Sequence, residues 1–271
     1  MFHQINLKDI TSIIIKAGKS VLEIYDKDFK ISYKDDNLSL SKADIISNEI
    51  ICKEFAKFNI PIFSEENKTI PYEQRKNWEY FWCIDPIDDT KEFINKNREF
   101  TINIALIYKD TPVLDVVYAP TLDLLYSAKK GEGDFKNGVK LPLQRNDDFL
   151  KIVASKLHLN EQTKDFIDSI FQATKQKEFV SMGSSLKLCL VASNEVDVCP
   201  RLAPTMEWDI AAADVIVREI GKMTYDFYTK KPLVYNKKII KSIFYSRVEN
   251  DPFRIFRITV HSYYPRGDSR V

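Results

Sequence analysis

The stretch WCIDPIDDTKEF, residues 82–93, leaves an apolar run and places Asp85, Asp88 and Asp89 within five positions. Carboxylates this close raise one another's pKa and repel, so something positive is expected among them. The residues just ahead, 79–84, read as a buried strand. A helix is expected from Thr90-Lys91, and Pro86 helps fix the turn between the two, so that Asp85 and Asp88 can reach toward one point.

Working outward, residues 4–26 place Ile10, Ile13, Ile14, Ala17 and Val21 at helical spacing, and a second helix is expected from about Lys42 to Phe58. Between them, 31–44 reads as polar and turn-rich at its centre. IPIFSEE is a short strand ending at Glu65-Glu66. Residues 100–130 read as successive strands with KDT and APTLD as turns, and GEGDFKNG, 131–138, as a further hairpin. Strand and helix then alternate: LKIVAS, a helix over 160–174, FVSMG, SSLKLCLVAS, EVDVCPRL, and EWDIAAADVIVREIG closing at Gly221. The pattern predicts an α+β half followed by an α/β half in layers, divided as 1–148 and 149–271. The stretch from 242 onward has aromatics and arginines without a clear period. Its Arg266-Gly267-Asp268 matches an adhesion tripeptide and is read as a chance match.

Composition sets wider bounds. A chain of 271 residues has ample length to bury a core, and 44% hydrophobic with 29% charged residues is ordinary for a soluble protein. The 40 basic and 39 acidic residues nearly cancel, giving bulk charge no role in binding a nucleic-acid polymer. Cys52, Cys83, Cys189 and Cys199 form no CxxC pair and read as buried free thiols in a reducing compartment. The first residues lack a signal-peptide pattern, and no apolar run approaches the ~20 residues of a membrane span. A cytoplasmic protein is expected, with peripheral association with the inner membrane left open, as monomer or homodimer.

Glu65, Asp85, Asp88 and Asp209 all stand at ends of apolar strands or starts of helices, where an open α/β architecture leaves a crevice. Hard oxygen ligands without nearby histidine or cysteine point to Mg²⁺ rather than zinc. Each feature also has a plainer reading. Asp85 and Asp88 could cap the helix at Thr90, Glu65-Glu66 could be a solvated turn, and Asp209 could be an N-cap. The combination favours a metal site.

IFSEE, DPIDDTKEF and EWDIAAAD, in that order, resemble the signature of the lithium-sensitive, Mg²⁺-dependent phosphatases of the inositol monophosphatase superfamily. DPIDDTKEFINKNREFTINIALI, VYAP, GSSLKLCLVA and PRLAPTMEWDIAAAD look like its branch of CysQ-type 3′(2′),5′-bisphosphate nucleotidases. The resemblance runs from the first helix to about residue 235. It implies a layered αβαβα sandwich of the sugar phosphatase type and two or three Mg²⁺ per site. Glu65, Asp85 and the carbonyl of Ile87 would bind one ion, and Asp85, Asp88 and Asp209 a second. Glu66 would support the ligand beside it. Asp44 and Thr90 would orient or deprotonate the attacking water. The physical logic is that two cations neutralise the phosphate, lower the pKa of water and stabilise the leaving oxygen, with no covalent phosphoenzyme. The amides of Asp89 and Thr90, at a helix start, suit a phosphate. Gly183, Ser184 and Ser185 would lie near ribose or phosphate, with Lys187 facing the non-reacting phosphate; the alternative for GSSLK is a helix start with a serine cap. Arg201 and Thr205 flank the last ligand and could touch substrate.

Asp89 departs from the family, which has glycine there. Aspartate tolerates some φ > 0 conformations, but two unit charges about 5 Å apart repel by roughly 3 kcal/mol at an effective dielectric near 20. Ser39 and Ser41 stand where proline and threonine are usual, and the stretch after 235 lacks the expected asparagine-proline-glycine-like ending. The resemblance implies hydrolysis of the 3′-phosphate of adenosine 3′,5′-bisphosphate. An inositol or sugar phosphate phosphatase, and a nucleotide-binding homologue disabled by Asp89, are the alternatives.

Overall fold

In a computed structural model, the protein is described over residues 4–27, 33–67, 70–146, 149–155, 159–172 and 176–248, with backbone alone for 33–41 and 248. The adhesion-like tripeptide at 266–268 lies outside these residues. Helix α1 (Leu7–Tyr25) starts where Asn6 Oδ1 accepts the Lys8 amide at 3.0 Å. Its apolar stripe, Ile10, Ile13, Ile14, Ala17 and Val21, is buried as the spacing predicts. Helix α2 (Tyr33–Phe55) begins well before Lys42, which corrects the expected turn-rich centre of 31–44. No glycine or proline interrupts 33–44, and Asp, Asn and Ser cost a helix only about half a kcal/mol each.

Strands β1 (Ile62–Ser64), β2 (Tyr80–Asp88), β3 (Thr101–Tyr108), β4 (Thr111–Ala119), β5 (Leu124–Lys129), β6 (Gly133–Lys136) and β7 (Val139–Lys140) form one sheet in chain order. β1 and β2 are parallel and the remaining pairs antiparallel. The short helices α3 (Tyr72–Arg75) and α4 (Thr90–Ile94) flank β2. A second sheet contains β8 (Leu150–Ala154), β9 (Lys177–Ser181), β10 (Val198–Met206), β11 (Lys222–Asp226) and β12 (Lys241–Val248), in the order β11-β12-β10-β8-β9. β12 takes in the start of the stretch that showed no period, whose part beyond 248 lies outside the described residues. Flanked by β11 and β10, it is a paired strand whose mixed side chains hid an extended backbone.

Helices α5 (Glu161–Gln172), α6 (Leu186–Ala192) and α7 (Glu207–Glu219) complete the layers. α1 and α2 cover one face of the first sheet, with Phe55 against Trp82 at 4.4 Å between ring centres. α7 packs between the two sheets, touching β2 to β5 on one side and β10 to β12 on the other. IAAADVIV suits that place, since a helix apolar all round is a helix buried all round. α5 lies outside the second sheet through Phe166, Ile167 and Ile170. The result is the expected αβαβα sandwich. The core around α6 and α7 draws on both sides of residue 148, from Phe63 to Phe244. Among the described residues, no helix is long and apolar enough to cross a membrane.

Candidate active site

A regular strand sends alternate side chains to opposite faces, so Asp85 and Asp88, three apart, should diverge. They converge because β2 bulges between them: Asp85 pairs with Asn103 and Asp88 with Thr101, with a register shift between. Pro86 sits in the bulge, and its carbonyl accepts the Ser47 hydroxyl of α2 at 2.9 Å. Asp85 Oδ1 accepts the Ile87 amide at 3.1 Å. Asp209 comes from the first turn of α7. It is not the cap itself; it reaches back to the Met206 amide at 3.1 Å.

One oxygen each from Asp85, Asp88 and Asp209 lies within 4.8 Å of the others. Burial, then Asp88, Asp209, Glu65 and Asp44, pushes the Asp85 carboxyl well above the carboxylate range. Burial and then Asp88 push Asp209 up. Asp88 is also raised by burial, partly offset by Lys187. Carboxylates so placed repel when ionised, and an all-oxygen, half-buried donor set of this kind fits a hard cation.

The triad opens on a cavity of about 350 Å³ that is also lined by Glu65, Ile87, Asp89, Thr90, Ser184, Ser185, Lys187, Arg201 and Thr205. Asp44 on α2, Glu66 and Gly183 do not line it. Asp44 is near enough to act on the charge of Asp85. Glu66 is exposed, its amide on Ser64 Oγ at 3.3 Å. Lys187 Nζ donates to the Ser184 carbonyl at 2.5 Å, and Arg201 Nε to Thr205 Oγ1 at 3.1 Å.

Asp85 and Asp88 do not cap α4, whereas Asp209 closes one half of a capping box at the start of α7. The residue at the N-cap of α4 is Asp89, in the left-handed region (φ 71°, ψ 69°), with no side-chain cap bond. Its Oδ2 accepts the Ser184 amide at 3.2 Å. Ser185 precedes α6 without capping it, and its hydroxyl donates to the Asp209 carbonyl at 2.6 Å.

Asn103, which the sequence reading passed over, links these parts. Its Nδ2 lies 3.1 Å from Asp88 Oδ2 and 2.9 Å from Ser185 Oγ. The available signal was an amide side chain inside the apolar strand FTINIALI; a buried polar group needs partners. Glu92, in the KEF that separates branches of the family, is assigned no contact from the sequence. It is 3% exposed, and burial, with Asp89 and Glu99 nearby, raises its carboxyl to about 7.

The sandwich fold and the three convergent aspartates define a phosphatase-type scaffold, and comparison with known proteins identifies it: the chain belongs to the inositol monophosphatase family, whose model matches residues 5–249. It is similar to the 3′(2′),5′-bisphosphate nucleotidase CysQ of Escherichia coli K12, at 34% identity over 86% of this chain and 94% of that protein. The CysQ of Buchnera aphidicola is 38% identical over 79% of this chain and 82% of its own length. The crystal structure of CysQ from Bacteroides thetaiotaomicron superposes with a TM-score of 0.85 at 35% identity, covering 91% of this chain and 98% of that one. A staphylococcal inositol monophosphatase shares the fold at 19% identity, with a TM-score of 0.77 over 95% of this chain and 94% of its own.

Proposed function

We propose that this protein is a Mg²⁺-dependent, lithium-sensitive phosphatase that removes the 3′-phosphate of adenosine 3′,5′-bisphosphate, giving AMP and phosphate. The observation that carries the proposal is the meeting, in one cavity, of the Asp85, Asp88 and Asp209 carboxylates with Lys187 and Arg201. The acidic end suits cations that bind the reacting phosphate, and the basic end suits a second phosphate. The names of the relatives support a nucleoside bisphosphate as the substrate.

Glu65, Asp85 and the Ile87 carbonyl would hold one Mg²⁺, and Asp85, Asp88 and Asp209 another. Bound there, the ions supply neutralisation of the phosphate, a lowered water pKa and stabilisation of the leaving oxygen. Thr90 Oγ1, in the cavity wall, together with Asp44 behind that wall would orient or deprotonate the attacking water, the proton reaching the Asp44 carboxylate by way of Thr90. Asp89 and Thr90 present backbone amides to the reacting phosphate at the start of α4. Ser184, Ser185, Lys187 and Arg201 hold the remainder of the nucleotide, and Glu66 supports the Glu65 end.

The disabled-homologue reading is weakened by Asp89 itself. Its φ of 71° keeps the backbone path a glycine would take, and its carboxylate accepts a backbone amide. The test is phosphate release from the bisphosphate with Mg²⁺, its inhibition by Li⁺, and kcat/KM against inositol 1-phosphate. Release from the bisphosphate with the highest kcat/KM is expected. Binding without release, rescued by Asp89→Gly, would overturn the proposal in favour of a nucleotide-binding protein.

A further inference from the structure

The connection from β9 to α6 brings Ser184, Ser185 and Lys187 into the cavity wall. Its consecutive amides each end on a carboxylate from the other half of the sandwich: Gly183 on Glu99 Oε2 at 2.7 Å, Ser184 on Asp89 Oδ2 at 3.2 Å, and Ser185 on Asp88 Oδ2 at 2.7 Å. Asp88 and Asp89 belong to the cavity, and Glu99 does not. It lies between α4 and β3, half-buried, and holds the end of the loop farthest from the aspartate triad.

The loop also rests on side-chain stems. A Cβ at Gly183 would stand 2.8 Å from Glu92 Cγ and 3.0 Å from Glu99 Cβ, closer than packed atoms approach, so the main chain sits directly on these two glutamates. The next residue, Ser184, has φ 45°, a left-handed conformation that a side chain disfavours and that needs its surroundings to hold it. Ser185 is anchored separately, through Asp88, Asn103 and the Asp209 carbonyl.

We propose that Glu99, with Glu92 as the floor beneath Gly183, is a positioning residue that sets the 183–187 segment against the part of the substrate that is not hydrolysed. The proposal rests on the nucleotidase reading for its substrate. The Gly183 N–H to Glu99 bond is charge-assisted and partly buried. Removing the acceptor takes the partner from that amide and loosens the Gly183 end, leaving Ser184 held by Asp89 alone while the Ser185 end stays tied to the triad. Lys187, whose ammonium is held by the Ser184 carbonyl, loses its setting; the hydrolytic groups keep theirs.

The test uses the full chain with Glu99→Ala, Glu99→Asp and Glu99→Gln, each carried forward once cooperative unfolding is confirmed. Loss of a hydrogen bond to a charged group predicts that Glu99→Ala raises KM for adenosine 3′,5′-bisphosphate about tenfold, with kcat within about twofold. KM for adenosine 3′-monophosphate, which lacks the second phosphate, stays within about twofold. Glu99→Asp, one methylene short, behaves like the alanine variant even if the latter fails to fold, and Glu99→Gln restores KM because its amide oxygen still accepts. Amide exchange over 182–186, read without substrate, becomes faster in Glu99→Ala and Glu99→Asp but not in Glu99→Gln. Equal rises in KM for both substrates, or exchange unchanged in every variant, overturns the proposal. Absence of hydrolysis by the unaltered protein overturns the nucleotidase reading instead, and the exchange experiment still decides whether Glu99 holds the loop.

Discussion

Asp88 Oδ2 collects the Ser185 amide at 2.7 Å, Asn103 Nδ2 at 3.1 Å and the Thr101 hydroxyl at 3.4 Å. Donors placed this way orient a carboxylate before any cation arrives, and replacing such partners commonly costs 10–100-fold in metal affinity. Asn103→Ala is therefore expected to raise the Mg²⁺ concentration for half-maximal hydrolysis by about 10-fold or more. A Mg²⁺ titration of initial rate checks this, and an unchanged midpoint would remove Asn103 from the metal site. Asp85, Asp88 and Asp209 could be read from the sequence as a converging set because they stand at the end of an apolar strand or at the start of a helix. Asn103 could not be read that way. Its role depends on facing Asp85 across the ladder and reaching Ser185 of the other half, neither of which is local in sequence.

At the level of whole elements, periodicity made α1, α5 and α7 readable, and turn chemistry placed β3 to β6. The bulge in β2 was not readable, because DPID gives a turn signal and only the pairing with β3 turns it into a continued strand. The early start of α2 and the strand nature of β12 were missed where local side chains carry no clean period and tertiary pairing decides. Close packing of elements also overrides propensity at Gly18 in α1. Alanine is the better helix former by about 1 kcal/mol. Its Cβ, however, would meet the buried Tyr118 ring of β4 at 2.6 Å. Overpacking a core costs about 1–3 kcal/mol, so Gly18→Ala should leave the protein less stable by about 1 kcal/mol in urea unfolding. A stabilised variant would mean that the α1–β4 contact is looser than described.

Taken as a molecule, the sandwich buries acidic groups both in the site and beyond it, which makes its stability sensitive to cations and pH. A divalent ion bound only by the folded chain stabilises it by about 2.7 kcal/mol at a hundred times its Kd. Saturating Mg²⁺ should thus raise the melting temperature by roughly 5 °C, and Asp209→Asn, which removes a ligand of the second ion, should make the shift clearly smaller. A full shift in that variant would remove Asp209 from the ligand set. Away from the site, Asp134 of β6 is 3% exposed, and burial pushes its carboxyl up to about 6. The folded chain then keeps a proton that an unfolded aspartate, with a pKa near 3.9, gives up. The resulting stabilisation is complete below about pH 4 and lost as pH rises through about 6. Between pH 5 and 7.5, urea unfolding should show a loss on the order of 1 kcal/mol from this group, absent in Asp134→Asn.

The order of the second sheet has a consequence for the making of the chain. β12 holds β10 through Arg201 opposite Phe244 and Thr205 opposite Ser242, so the basic wall of the cavity takes shape only once Val248 has been synthesised. The sheet bearing Asp85 and Asp88 is complete in sequence by Lys140. At ribosomal rates of about 5–20 residues per second, the two halves are separated by roughly 5–20 s. During that interval the nascent aspartates remain hydrated, and their charges are enclosed only when α7 and the second sheet close over them.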